Sequence, residues 1–214
     1  KRQLTLVTTC TWKRAKRGLT KLISLMLVTK EICNQLSDRE IVKRALADID
    51  YFSCLYDRHE VKLMQYIQRI AMLSHEEAED ILQDAFIKIW RNLNDFDLNL
   101  KLSSWIYRIV HNETISVWRK KKSFGKDRQV ELDENLFESL SDEFEVDADM
   151  EPKELLTQQV LDLLPLKYKT VLVLKFLEGM SYEEISDILK IPEGTVATRI
   201  NRAKKTFVKI AEDK

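Results

Sequence analysis

Apolar residues return every three or four positions through most of this chain, and no run alternates as a half-buried strand would. In residues 37–56, Ile41, Ala45, Ile49 and Phe52 fall on one side of a helix. Residues 57–73 continue as a second helix, with Val61, Met64, Ile67 and Ile70 on its apolar side. The segment SHEEAEDILQDAFIKIWRNL, residues 74–93, carries a stripe of Ile81, Leu82, Ala85, Phe86, Ile89 and Trp90. Opposite the stripe stand Glu76, Glu79, Asp80, Gln83, Asp84 and Lys88. Residues 92–101 break the period and read as an Asn- and Asp-rich loop. Helix resumes over 103–122, with Ile106, Ile109, Val110, Thr114 and Val117 able to face inward and Trp105, Arg108, His111, Asn112 and Arg119 on the remaining face. Further helices follow over 154–164 and 166–177.

Helix starts are marked as clearly as helix faces. Ser37 with Glu40, Ser74 with Glu77 and Ser181 with Glu184 each fit a capping box, in which serine and glutamate side chains satisfy each other's backbone N–H groups. The third box opens SYEEISDILKIPEGTVATRINRAKK, residues 181–205, preceded by the helix-stopping Gly179. Tyr182, Ile185, Ile188 and Leu189 make a first short helix, and Pro192 suits the first turn of a second. In that second helix Val196, Ile200, Ala203 and Phe207 fall within a narrow arc at 100° per residue. Lys205, Thr198, Asn201 and Arg202 lie opposite, Ala197 beside them, and Arg199 and Lys204 on the flanks. Residues 195–209 hold five basic side chains and no acid. Such a helix offers short polar and bidentate groups for base edges and cations for phosphates, as a helix-turn-helix reader of DNA requires. A solvated helix hairpin with no DNA role has the same periodicity.

Four Gly and three Pro in 214 residues leave few turns, so long helices with short connections are expected. The formal charge is zero, but it is a sum of opposed blocks. Residues 1–30 carry eight Lys or Arg and no acid; 101–122 carry six against one Glu; 123–154 carry three against twelve acids. The acidic block has only scattered apolar residues and reads as a flexible linker that cannot offset its own ordering entropy. The expected architecture is all-α: two small helical domains joined by this linker. A basic extension occupies residues 1–36, a first domain 37–122, the linker 123–153, and a second domain with the helix-turn-helix 154–214. The apolar run LISLMLV is too short to span a bilayer and no convincing cleavage site follows; because the sequence opens without Met and Met26 stands just before the first helical pattern, residues 1–25 read as a non-native or upstream-translated extension rather than a functional basic arm.

Candidate chemistry narrows the classes. Cys10, Cys33 and Cys54 are odd in number and never paired as CxxC, and the three histidines are scattered. Neither a zinc site nor a disulfide framework is indicated, and reduced, inert thiols are expected. The carboxylates of Glu76, Glu79, Asp80 and Asp84 share one helix face and could hold a metal or act as an acid and base pair. No companion histidine, second carboxylate motif or glycine-rich phosphate loop supports an enzyme, so no catalytic residue, cofactor or metal is assigned. A solvated face or a protein-docking surface explains them. Near the basic WRKKK terminus, Phe96, Trp105, Tyr107 and Trp118 accompany cations, as stacking surfaces for unpaired bases would, although such aromatics also serve cores.

EAEDILQDAFIKIW, SSWIYRIVHNETISVWRKKK and LPLKYKTVLVLKFLEGMSYEEISDILKIPEGTVATRINRAKK, in this order, resemble the successive regions of a bacterial extracytoplasmic-function (ECF) RNA polymerase sigma factor of the sigma-70 family. The resemblance covers about residues 37–210 and implies a cytoplasmic transcription initiation factor that brings core RNA polymerase to promoter DNA. It implies polymerase docking by Glu79, Asp80, Gln83, Asp84, Phe86 and Trp90, some of them core. Opening and reading of the minus ten element would fall to Asn94, Lys101, Ser104, Trp105, Arg108, His111, Asn112 and Arg119. The minus thirty-five element would be read by Ala197, Thr198, Asn201 and Arg202, with Thr195, Arg199 and Lys205 positioning the backbone. An anti-sigma factor, frequently membrane-bound, is a further partner the family implies; direct membrane insertion is not. Two positions depart from the family pattern: Leu102 replaces an aromatic and Ala197 a frequent cation. The alternatives are a regulator that binds duplex DNA without polymerase, and a helical adaptor or metal-dependent enzyme built on the acidic face.

Overall fold

The computed structural model describes residues 28–124 and 152–212, which form helices and no strand. The helices are α1 Lys30–Gln35, α2 Asp38–Ala47, α3 Phe52–Ala71, α4 His75–Asn92, α5 Leu102–Phe124, α6 Pro152–Asp162, α7 Leu166–Leu172, α8 Tyr182–Leu189 and α9 Glu193–Glu212. All three capping boxes form, at Ser37, Ser74 and Ser181. Most of the expected linker lies outside the described residues; at its ends α5 runs to Phe124 and α6 begins at Pro152. Residues 1–27 also lie outside them.

Three elements differ from the periodicity reading. Residues 37–56 are not one helix: Asp48 is extended and its carboxylate accepts from the Asp50 N–H at 3.0 Å, so a 3-10 turn at Ile49–Tyr51 intervenes before α3. Here a short polar side chain competes with the helical ladder for a backbone donor. The segment 166–177 departs from a regular α-helix after Leu172, where a π turn spans Val173–Leu177. Finally, α1 forms within the stretch assigned to the N-terminal extension.

The chain divides into two compact units, one ending at Leu55 and one beginning at Tyr56. In the first, Cys33, Ile41, Val42, Ala45, Cys54 and Leu55 are buried. A disulfide joins Cys33 to Cys54, with Cα atoms 5.2 Å apart, which corrects the expectation of reduced thiols. The partners are 21 residues apart, and only the folding of α1 and α3 brings them together, so spacing carried no sign of the bond.

The second unit holds the helices of the expected second domain and, of the expected first domain, most of α3 with α4 and α5; α2 and the start of α3 lie in the first unit. α3 ends at Ala71, where Met72 takes a left-handed φ of 50°. α4 packs along α5, burying Ala78, Ile81, Leu82, Ala85 and Ile89 with Ile106 and Val110, and Lys88 Nζ lies 2.5 Å from Glu113 Oε1 across them. α9 packs on α7 and α8 through Val196, Ile200 and Ala203. Beneath it Lys169, 3% exposed, is neutralised by Asp162 at 2.8 Å, and burial pulls the Lys169 ammonium below its ordinary pKa. α8 also packs on α5.

Candidate nucleic-acid and polymerase interface

On α9 the arc opposite the core is open. Thr198, Asn201, Arg202 and Lys205 are exposed, and Thr195, Ala197 and Arg199 are half-buried. A groove of about 480 Å³ runs beside them, lined by Lys167, Tyr168, Gly194, Thr195, Thr198, Arg199 and Arg202. The Thr198 hydroxyl donates to the Gly194 carbonyl at 2.8 Å, which leaves its oxygen able to accept. Lys167 and Tyr168, from α7, were not singled out in sequence. They sit some thirty residues before the recognition helix, and only the packing of α7 on α9 makes them neighbours of Arg202.

On α4 the polar face is equally open. Asp80 and Asp84 are exposed, Glu79 and Gln83 half-exposed, and Trp90 is 36% exposed at the margin. Phe86 is 5% exposed and its ring lies 4.8 Å from that of Tyr56, so it belongs to the core. Ile87 is 43% exposed and falls at the centre of the acidic arc at 100° per residue. The sign was available: at 100° per residue both Ile87 and Trp90 fall among the polar residues on the charged side of this helix.

α5 is more mixed. Asn94, Lys101, Asn112 and Arg119 are exposed; Trp105, Arg108 and His111 are half-buried. Ser104 is 3% exposed, and neither its hydroxyl nor the Arg108 Nε has a hydrogen-bond partner. Phe96 is buried against Trp105, with rings 5.0 Å apart, and Tyr107 is 3% exposed, so neither Phe96 nor Tyr107 offers a free stacking face. Leu102, where an aromatic was missed, is itself buried. His111 Nδ1 is 2.8 Å from the Tyr66 hydroxyl; burial, then the nearby Arg119 charge, lowers its pKa to about 4. The ring is therefore neutral near pH 7 and brings no cation to a phosphate.

Among the described residues no cluster of three or more His, Cys, Asp or Glu could hold a metal. No helix among them is long and apolar enough to cross a membrane.

Residues 55–124 match the family model for sigma-70 region 2, and residues 155–207 that for sigma-70 region 4. The chain is 38% identical over 175 residues to the ECF RNA polymerase sigma factor SigW of Bacillus subtilis, covering 78% of this chain and 91% of that protein. The chain belongs to the ECF RNA polymerase sigma factors. This sigma factor is also 32% identical over 183 residues to the RNA polymerase sigma-H factor of Pseudomonas aeruginosa, covering 82% and 94% of the two chains. Two solved structures share its fold: CnrH with the cytosolic domain of CnrY, at 23% identity, TM-score 0.62 and coverage of 82% and 97%, and the sigma factor RpoE with the anti-sigma factor NepR from Bartonella quintana, at 22%, 0.56 and coverage of 75% and 96%. Like its family, the sigma factor binds core RNA polymerase and directs it to promoters.

Proposed function

We propose that the sigma factor divides its work among three helices. α9 reads the minus thirty-five element through Ala197, Thr198, Asn201 and Arg202, held by Thr195, Arg199 and Lys205. Lys167 and Tyr168 extend that grip to a neighbouring phosphate from the far wall of the groove. α5 and the loop before it read the minus ten element through Asn94, Lys101, Trp105, Arg108, Asn112 and Arg119. Ser104 and His111 position that surface from beneath. α4 docks on polymerase with Glu79, Asp80, Gln83 and Asp84 around Ile87 and Trp90.

The observation that carries this reading is the basic groove beside the exposed arc of α9: three cations, Lys167, Arg199 and Arg202, two threonines and no acid among its lining residues. A duplex-binding regulator working without polymerase would use the same groove but leaves the acidic face with Ile87 at its centre unexplained. Because CnrH and RpoE were each solved with a protein partner, and NepR is named an anti-sigma factor, we place a restraining protein of that kind among this chain's partners. The sigma factor acts in the cytoplasm and carries no catalytic chemistry of its own. Run-off transcription with purified core polymerase and this chain on a promoter library tests the reading. It predicts initiation at a two-element consensus; tight duplex binding with no polymerase-dependent transcript would establish the regulator instead.

A further inference from the structure

The first unit carries a chemical group that promoter reading does not use. α1 is six residues long, too short to persist alone in water, and its N-cap, Thr29, makes no side-chain capping bond. Cys33 is the one buried residue of α1; Ile32 beside it is 40% exposed. The bond to Cys54 therefore anchors α1 to the first turn of α3. α2, by contrast, has a capping box and buries Ile41, Val42 and Ala45, so it needs no such anchor. Both cysteines precede residue 55, where the match to region 2 begins.

A permanent cross-link is unusual where transcription takes place, because the cytoplasm keeps thiols reduced and the disulfides found there are mostly transient and redox-sensing. The placement suits a reversible bond. Cα atoms 5.2 Å apart let the two thiols close without moving the backbone, and only α1 has to lift for the sulfurs to be reached. Cys33 is 5% exposed and Cys54 fully buried, so lifting α1 presents the Cys33 sulfur first. A small thiolate attacking it breaks the S–S bond and forms a mixed disulfide. Cys54 then leaves as a thiolate from the third residue of a 20-residue helix, whose N-terminal N–H groups favour negative charge. A second small thiol attacks the outer sulfur of the mixed disulfide and frees Cys33. The cysteines gain two electrons and two protons, both supplied by the two small thiols, which depart joined as their own disulfide. An excess of that disulfide runs the same steps backward.

We propose that Cys33 and Cys54 are a redox switch, opened by a low-molecular-weight thiol and closed by its disulfide, that docks α1 on α3 when oxidised and frees it when reduced. The inference rests on placing the sigma factor in the cytoplasm. To test it, the full chain is equilibrated in mixtures of reduced and oxidised glutathione, free thiols are blocked with N-ethylmaleimide, and the digest is read by mass spectrometry. The peptides joined through Cys33 and Cys54 should dominate in oxidised glutathione, fall roughly tenfold or more in the most reducing mixture, and return when oxidised glutathione is restored. Cys10→Ser should leave that course unchanged. Amide hydrogen exchange on the same samples should show α1 losing protection on reduction, including the Cys33 N–H that donates to the Thr29 carbonyl, while α4 and α9 keep theirs. Cys54→Ser should leave α1 unprotected in every mixture. A bond that survives the most reducing mixture is a fixed cross-link; a pairing through Cys10, or no joined pair, leaves no switch; an α1 equally protected in both forms has no conformational response. Each of these overturns the proposal. If α4 and α9 lose protection in Cys54→Ser, that variant is misfolded and Cys33→Ser carries the same test. None of these measurements involves polymerase or promoter, so their outcome is separate from that of run-off transcription.

Discussion

Asn201 and Arg202 are exposed next to each other on α9, and each can make a bidentate contact to a base edge that no neighbour replaces. Changing either to Ala should relax preference at one or two base pairs of the minus thirty-five element by about 1–3 kcal/mol, read from run-off transcription across promoter variants. Lys167→Ala should instead weaken all sequences alike and lower the salt dependence, as a lost phosphate contact does. His111 gives a different kind of test. Unfolded, it takes up its proton near the ordinary value of 6.5; folded, only near 4. Between those values the unfolded chain binds more protons, so this group's contribution is whole above pH 6.5 and is lost as pH falls toward 4. The loss is no more than ~3 kcal/mol, and less to the extent that the half-buried ring meets water. Urea melts of the wild type and His111→Gln at about pH 7.5 and about pH 4.5 should show a smaller acid loss in the variant.

At the level of elements, α4 joins a buried face to a charged one that has an isoleucine in its middle. A flat acidic surface attracts cations at a distance, whereas a desolvated apolar anchor slows dissociation. Ile87→Asp should therefore raise the off-rate of polymerase, while Asp84→Lys should mainly slow association and steepen with falling salt; surface plasmon resonance separates the two. Neither should change duplex binding by α9. The disulfide acts on α1, whose only buried residue is Cys33. Closing a loop with a sequence separation of 21 limits the unfolded chain, and its reduction should cost ~3 kcal/mol by the chain-entropy estimate. Thermal melts with and without reductant, compared with Cys33→Ser, measure this; equal melting temperatures would show that the bond contributes nothing.

Across the whole molecule, Glu178 and Glu184 reach Arg69, Tyr107 and Lys101, residues of a region that a different family model matches. What the chain alone determined was local: amphipathic faces, three capping boxes and the outward arc of α9 all follow from a period of 3.6 residues and from side chains within four positions of one another. The family motifs carried the function. Lost to that reading was whatever depended on residues far apart. The Asp48 break was legible in principle as a capping side chain, but periodicity overrode it. Cys33 meets Cys54, Lys167 and Tyr168 join the groove of Arg202, and Tyr107 serves a buried carboxylate 71 residues away instead of an unpaired base. Local periodicity sets which side of a helix is apolar, but not which neighbour covers it; that depends on long-range packing, and here packing decided which polar and aromatic groups are exposed and which are held by a distant partner.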